Sequence, residues 1–235
     1  MLQSLCARAG AVLLFVGSTL WGEPLPASET LSRYLDSSRA ACTMDGKAME
    51  VNIEASLPKL QKQGTMHGLK VISDSGQVAY RFLRFTGDKL IKTDVIARFL
   101  NAEVHPPETP RSIDLSVQNY KFHYLRTEVM DGSREYVYQL KPRKKREGLF
   151  KGELWLDAGS ALPVREVGQL VKSPSIFIQR VTFVRDFADR SSCAPPHRTA
   201  ITVQTRLAGA AEMVVWQNPV DESWRPPDEE PSNTN

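Results

Sequence analysis

The sequence predicts a mainly β fold, in which about ten or eleven antiparallel strands form a curved sheet that two or more helices cover. Apolar and polar residues alternate with a period of two over many short segments, and these segments follow one another through short turns. A sheet of that many strands usually curls into a barrel, closed or partly open. Several segments are apolar on both faces, which favours an internal cavity, although a two-layer sandwich with a filled core gives the same periodicity.

Composition separates the body of the chain from its two ends. The 235 residues carry a net charge of +3, which argues against a dedicated nucleic-acid-binding protein. Residues 1–27 combine Arg8 with an uncharged apolar run at 9–21, a pattern typical of a secretory signal that is either cleaved or retained as an anchor. Residues 219–235 hold four prolines and a net charge of −4, which predicts a disordered acidic tail. Residues 28–218 carry the remaining +7 and are expected to form one domain.

Export would place the protein in an oxidising compartment, where paired cysteines form disulfides. Cys6 lies in the signal, so Cys42 and Cys193 are the two that remain. A disulfide between them and a pair of thiols both stay open, because spacing alone does not show that their Cα atoms come close.

The first elements of the body are a helix and a half-buried strand. Residues 29–42 have one apolar face at helical spacing, formed by Leu31, Tyr34, Leu35, Ser38, Ala41 and Cys42. Residues 48–57 then alternate strictly, with Met49, Val51, Ile53, Ala55 and Leu57 pointing one way.

A series of hairpins follows. Strands are predicted at 66–72 and 77–85 around a Ser73–Gly76 turn, and the short segment 89–93 (KLIKT) is read as another strand. Asp94 is the expected cap of a second helix, 95–102. Asp131-Gly132 is a strong hairpin signal between two β-rich segments. The predicted strands after the second helix are 119–129, 134–140, 148–157, 162–171, 175–187, 198–207 and 211–217.

No motif in the sequence points to catalysis, a metal or a cofactor. The four histidines, His67, His105, His123 and His197, do not cluster with one another or with a cysteine at zinc-ligand spacing. Serine nucleophile motifs and glycine-rich phosphate loops are also missing from the sequence. We therefore expect a protein that is not an enzyme and that carries no metal or cofactor.

The densest charged feature is a basic run between two predicted strands. It can contact an anionic membrane surface, or it can be a solvated loop that keeps strand edges from aggregating. Its residues are Lys141, Arg143, Lys144, Lys145 and Arg146.

The stretch 136–187 resembles the bacterial LolA/LolB-like outer-membrane lipoprotein-sorting (lipoprotein carrier) family. The motifs that carry the resemblance are Y-x-L-x-P at 138–142, G-x-L-W-L-D at 152–157, L-P-V-R at 162–165 and V-x-F at 181–183. The resemblance implies an unclosed antiparallel barrel covered by helices, with an apolar cavity that holds lipoprotein acyl chains. It also implies a periplasmic location.

The function expected on this basis is a periplasmic, non-catalytic carrier or binding protein for acyl chains of a lipoprotein or lipid, with a monomer favoured. Ile96, Phe99 and Leu100 of the second helix are the expected lid. Aromatic and aliphatic side chains of the strands are the candidate cavity lining: Tyr80, Phe82, Tyr120, Phe122, Tyr136, Tyr138, Leu154, Leu156, Phe177, Val181 and Phe183.

Two other functions remain open at this point. The same fold can serve an envelope-stress sensor or scaffold that binds a protein partner, which predicts an apolar surface patch. An enzyme acting on envelope lipids or glycans would instead require a cleft with paired carboxylates or an activated serine.

Overall fold

One antiparallel sheet of ten strands organises the part of the chain that the structure describes. The computed structural model describes residues 25–39, 48–73, 76–106, 113–130, 132–188 and 195–220. Cys42, Cys193, the predicted signal up to residue 24 and the predicted tail from residue 221 lie outside the described residues. The strands are β1 (Ala48–Leu57), β2 (Lys62–Ile72), β3 (Val78–Gly87), β4 (Tyr120–Met130), β5 (Ser133–Pro142), β6 (Phe150–Asp157), β7 (Pro163–Leu170), β8 (Ile178–Asp186), β9 (Arg198–Thr205) and β10 (Ala210–Pro219).

The sheet is unclosed, as the sequence resemblance implied. Its strand order is β3-β2-β1-β10-β9-β8-β7-β6-β5-β4, so β3 and β4 are the two edges. Every pairing is antiparallel, and β4 pairs with β5 as the hairpin signal predicted. Odd-numbered strands end, and even-numbered strands begin, at the same side of the sheet, which we call the loop end.

Two of the helical segments within the described residues lie on one face of the sheet, which we call the inner face. The first, α1 (Ala27–Arg39), covers the half formed by β4–β8, where Tyr34 and Leu35 are buried in a cluster with Leu140, Leu154 and other residues. The second begins at Lys89 with π-helical hydrogen bonding over Ile91–Ile96 and continues as α2 (Ala97–Val104). It packs into a separate cluster on β1, β2 and β10.

The strand predicted at 89–93 is therefore wrong, because these residues belong to the second helical segment. A short apolar run does not distinguish strand from helix, and here tertiary packing decides. Ile91 and Ile96 are fully buried on one side of the helix, and Leu100 continues that side. Asp94 lies inside the helix and pairs with Arg98 one turn later, at 3.1 Å.

β-Bulges near both sheet edges change which side chains face inward. Phe82 and Leu83 both lie opposite Gly68, because the β2–β3 register shifts between His67 and Leu69. Phe82 has φ 54° and a mostly exposed side chain, whereas Leu83 lies over Gly68 on the inner face. The bulge is thus the reason that β3 looks apolar on both faces in the sequence. A similar shift occurs in the β4–β5 pair between Tyr124 and Arg126.

Candidate functional site

A cavity of about 440 Å³ lies on the inner face between the two helix-covered clusters. Strands β6–β9 form its floor, while Tyr34 of α1 and the segment 113–116 form its roof. Ile201, near its centre, packs against both clusters. The volume falls in the range of ordinary small-molecule sites. Its apolar lining consists of Ile113, Leu115, Phe150, Leu170, Val181, Phe183 and Ile201.

Two paired glycines make room for the aromatic floor of this cavity. Gly152 of β6 and Gly168 of β7 lie directly opposite each other in the sheet. A Cβ added at Gly168 would lie 2.4 Å from the Phe183 ring and 2.6 Å from the Phe150 ring. The two rings therefore meet edge to face above Gly168, with centroids 4.9 Å apart.

The cavity wall also contains an ion pair. Arg185 donates from Nη1 to Glu166 Oε2 at 3.0 Å, and its guanidinium lies over the Phe183 ring, 4.4 Å from the centroid. The Glu166 side chain is 7% exposed and that of Arg185 is 40% exposed. Burial, followed by the charge of Glu166, raises the pKa of the Tyr34 phenol, so Tyr34 is a neutral hydrogen-bonding group at the roof. The site therefore combines an apolar floor with a polar wall.

Two arginines of the basic run bind the residues that directly follow the roof segment 113–116. Arg143 donates from Nε to the Val117 carbonyl at 2.8 Å, and Arg146 donates to Asn119 Oδ1 at 3.2 Å. Lys144 and Lys145 are exposed in the same loop, and Lys141 is exposed on β5. The run thus has a structural part, formed by the arginines, and an exposed part, formed by the lysines.

Tyrosines beneath α1 attach the N-terminal segment to the sheet. Tyr136 donates to the Leu25 carbonyl at 2.7 Å, and Tyr138 donates to the Ala27 carbonyl at 2.5 Å. The Tyr120 hydroxyl accepts the Phe150 amide at 3.2 Å, and burial raises the pKa of Tyr120 to about 12. The hydroxyl groups of these three tyrosines therefore link the N-terminal segment and the backbone of β6 to the cluster under α1.

The candidate lining residues fall into four groups. Val181 and Phe183 line the cavity, and Tyr80 packs beside the second helical segment. Phe82 and Phe177 are mostly exposed, since Phe177 precedes the start of β8. The remaining candidates belong to the cluster under α1, with Phe122 partly buried: Tyr120, Phe122, Tyr136, Tyr138, Leu154 and Leu156.

The candidate lid residues pack against the other half of the sheet. Ile96 and Leu100 are buried on β1 and β2, and Phe99 packs beside them. A polar contact fixes the end of this helix, where Lys70 binds Glu103 at 3.0 Å and Tyr80 donates to the same carboxylate. Burial and then the charge of Glu103 raise the pKa of Tyr80.

Sequence reasoning missed several cavity residues, among them Phe150, Leu170 and Ile201. Phe150 lies four residues before Leu154 in β6, so strand alternation places both on the same face. That alternation could have identified Phe150 as a lining candidate. The residues opposite it depend on the β6–β7 and β8–β9 registers, which a single sequence does not specify.

A larger depression of about 750 Å³ lies on the opposite face of β5–β9. Outward side chains such as Gln139, Lys151 and Thr182 form its walls, and both helices lie on the other face of the sheet. The roofed inner cavity is therefore the better candidate for holding a ligand.

Within the described ranges, no group of three or more histidine, cysteine, aspartate or glutamate side chains is arranged to hold a metal ion. None of the helices in that part of the chain is long and apolar enough to cross a membrane.

Comparisons with known proteins find similar solved structures. No protein-family model matches the sequence, and no curated protein is significantly similar to it. A LolA superfamily protein from Nitrosomonas europaea is 15% identical, with 84% of this chain and 94% of that chain covered and a TM-score of 0.39. A putative outer-membrane lipoprotein-sorting protein domain from Vibrio parahaemolyticus is 12% identical, with coverages of 82% and 89% and a TM-score of 0.42.

A third similar structure is a protein complex. A chain of the MucA/MucB complex from Pseudomonas aeruginosa is 10% identical, with coverages of 82% and 93% and a TM-score of 0.26. The first two of these proteins bear the names of the family that the motifs of 136–187 resemble. Such similarities concern the fold, and they do not assign to this chain what those proteins bind.

Proposed function

We propose that the protein binds the acyl chain of a lipid or lipoprotein in the inner cavity, without catalysing a reaction. The observation that carries this proposal is the roofed cavity with an aromatic and aliphatic floor. Burial of each methylene group from water contributes about 0.8 kcal/mol, so a long alkyl chain supplies enough free energy to offset the cost of association. Tyr34 and the Arg185–Glu166 pair offer polar contacts to the head group.

The predicted signal at residues 1–27 supports a periplasmic location for this activity. We propose that the protein works there as a monomer and receives its ligand from the envelope. The acyl chain rather than the head group would supply most of the affinity, because apolar residues form most of the cavity floor.

A chain-length series tests the proposal. Monoacylglycerols of increasing length would be titrated against the purified protein with a fluorescent acyl probe bound. Each added methylene should tighten binding about fourfold, until the chain exceeds the cavity and the affinity levels off. Native mass spectrometry of the protein purified from a lipid-containing host would identify any ligand that it retains.

A matched pair of substitutions on β8 locates the site. Val181 lies in the inner cavity, whereas Val184 faces the outer depression, and both are partly buried. Val181→Trp should weaken monoacylglycerol binding at least tenfold because the indole fills the cavity, and Val184→Trp should leave it unchanged. The proposal fails if no monoacylglycerol binds, or if Val181→Trp binds as tightly as the unaltered protein.

A further inference from the structure

We propose that Ile176, Phe177 and Leu207 form a tip that inserts into the surface of an anionic lipid bilayer. Their exposures are 78%, 61% and 80%, which are unusually high for large apolar side chains that lie close together. Ile176 and Phe177 belong to the β7–β8 loop, and Leu207 belongs to the β9–β10 turn. Both connections are at the loop end of the sheet.

Hydrogen bonds lock the two parts of the tip together. The Arg206 amide donates to the Phe177 carbonyl at 3.0 Å, and Arg206 Nε donates to the Ile176 carbonyl at 2.9 Å. Ser173 Oγ donates to the Ile178 carbonyl at 2.5 Å, which closes the β7–β8 loop. The hydrogen-bonded turns therefore hold the apolar side chains outward. Because these turns are already ordered, binding costs little further conformational entropy.

Basic side chains surround the tip. Arg206 is exposed on the β9–β10 turn, and Arg180 is exposed near the start of β8. Lys59 lies against the β9–β10 turn, where a Cβ at Gly209 would be 3.2 Å from Lys59 Cδ. Within the described part of the chain, one acidic side chain forms an ion pair with the β7–β8 loop. It is Glu147, which binds Lys172 at 3.0 Å. Lys144 and Lys145 add positive charge at the same end.

This combination fits the polar–apolar boundary of a bilayer. Apolar side chains at protruding turns enter the head-group region, while surrounding lysines and arginines attract anionic lipids. Each cation near the surface strengthens binding about fivefold. The positive charge around the tip therefore favours an anionic bilayer as the surface that it binds.

The tip lies beside one end of the inner cavity. Leu170 lines that cavity and is the last residue of β7, directly before the loop that carries Ile176 and Phe177. Docking would place this end of the cavity next to the membrane. The membrane proposal is nevertheless independent of the proposed ligand, because it rests on surface side chains alone.

Vesicle co-sedimentation tests the tip. The full-length protein, freed of detergent, would be mixed with phosphatidylethanolamine/phosphatidylglycerol vesicles and with phosphatidylcholine vesicles. It should bind the anionic vesicles and release them at high salt. The variant I176S/F177S/L207S should bind at least tenfold more weakly, and Arg180→Gln should weaken binding about fivefold.

Val129→Ser is the matched control, because Val129 is 73% exposed on β4 at the opposite end of the sheet. It should bind vesicles like the unaltered protein. Equal binding by the triple variant, or no binding by the unaltered protein, would overturn the proposal. Self-association that the triple variant loses, without vesicle binding, would also overturn it and assign the tip to contacts between copies.

Discussion

Arg185 and Glu166 lie directly opposite each other on β8 and β7, and their ion pair of 3.0 Å faces the inner cavity. Glu166 is almost completely buried, so its charge depends on Arg185 for compensation. Asp114 adds a second carboxylate at the cavity roof. Because these three groups sum to one negative charge, the wall favours uncharged head groups over anionic ones.

Head-group selectivity should therefore depend on Glu166. The protein should bind a monoacylglycerol more tightly than the fatty acid of the same length. Glu166→Gln removes the negative charge and releases Arg185 to bind a carboxylate, so fatty-acid affinity should rise about tenfold while monoacylglycerol affinity changes little. Displacement of a fluorescent acyl probe measures the affinities for the fatty acid and for the monoacylglycerol. An unchanged ratio of the two affinities would contradict this assignment.

Removing Arg185 should expose the cost of a buried charge. Arg185→Met leaves Glu166 buried without its partner, and the free energy of unfolding should fall by about 1–3 kcal/mol. Glu166→Leu combined with Arg185→Met should be more stable than Arg185→Met alone, because no unpaired carboxylate remains. Urea denaturation measures the free energy of unfolding of the unaltered protein, of Arg185→Met and of the double variant. Equal stability of the single and double variants would show that the pair is not coupled.

The hydroxyl groups of Tyr136 and Tyr138 should stabilise the attachment of α1 to the sheet. Tyr138→Phe removes the hydrogen bond to the Ala27 carbonyl, and Tyr136→Phe removes the bond to Leu25. Each change should lower the free energy of unfolding by about 1 kcal/mol. Amide hydrogen exchange should accelerate in α1 more than in β1 or β10, which pack under the other helix. Uniform acceleration across the sheet would argue against a local role.

The paired glycines should tolerate no side chain. A Cβ at Gly152 would lie 1.8 Å from the Val167 carbonyl oxygen, which is a backbone atom of the adjacent strand. Gly152→Ala should therefore lower the free energy of unfolding by about 3 kcal/mol or more, or prevent soluble expression. Gly159→Ala is the control, because its nearest atom is a side-chain oxygen at 3.5 Å. Comparable stability of the two variants would contradict the close approach.

Stability should depend on pH through Glu128 on the outer face. The Trp155 indole donates to Glu128 Oε2 at 2.9 Å, and this bond, followed by Arg126, holds the pKa of Glu128 below its ordinary value. A lowered pKa means that the stabilisation is present above the unfolded-state value of about 4.3 and is lost as pH falls through the folded-state value.

The matching experiment compares the unaltered protein with Glu128→Gln by urea denaturation at several pH values. The variant should be less stable near neutral pH, and the difference should shrink as the solution is acidified below about pH 4. A difference that stays constant with pH would show that the charge of Glu128 contributes nothing.

Strand alternation and turn chemistry made much of the sheet predictable. Asp131-Gly132 specified the β4–β5 hairpin, and the alternation of β1 specified which face of that strand is buried. Both signals are local, because they depend on residues within one strand or one turn.

The cavity was less predictable because non-local pairing forms it. Phe150, Leu170 and Ile201 meet through the order and register of β6–β9. The residues 175–177 belong to a turn rather than to β8. The Ser173 hydrogen bond that closes this turn is local, but the Arg206 hydrogen bond comes from the β9–β10 turn and depends on tertiary contacts. Tertiary structure likewise decided that residues 89–93 are helical.

The unclosed sheet has two edge strands, each next to a register shift. Exposed Arg81 and Arg84 lie on β3, and exposed Lys121 lies on β4. Local kinks and charged side chains make such edges poor templates for another molecule's strand. The open architecture can therefore leave room for a cavity without inviting the chain to polymerise edge to edge at high concentration.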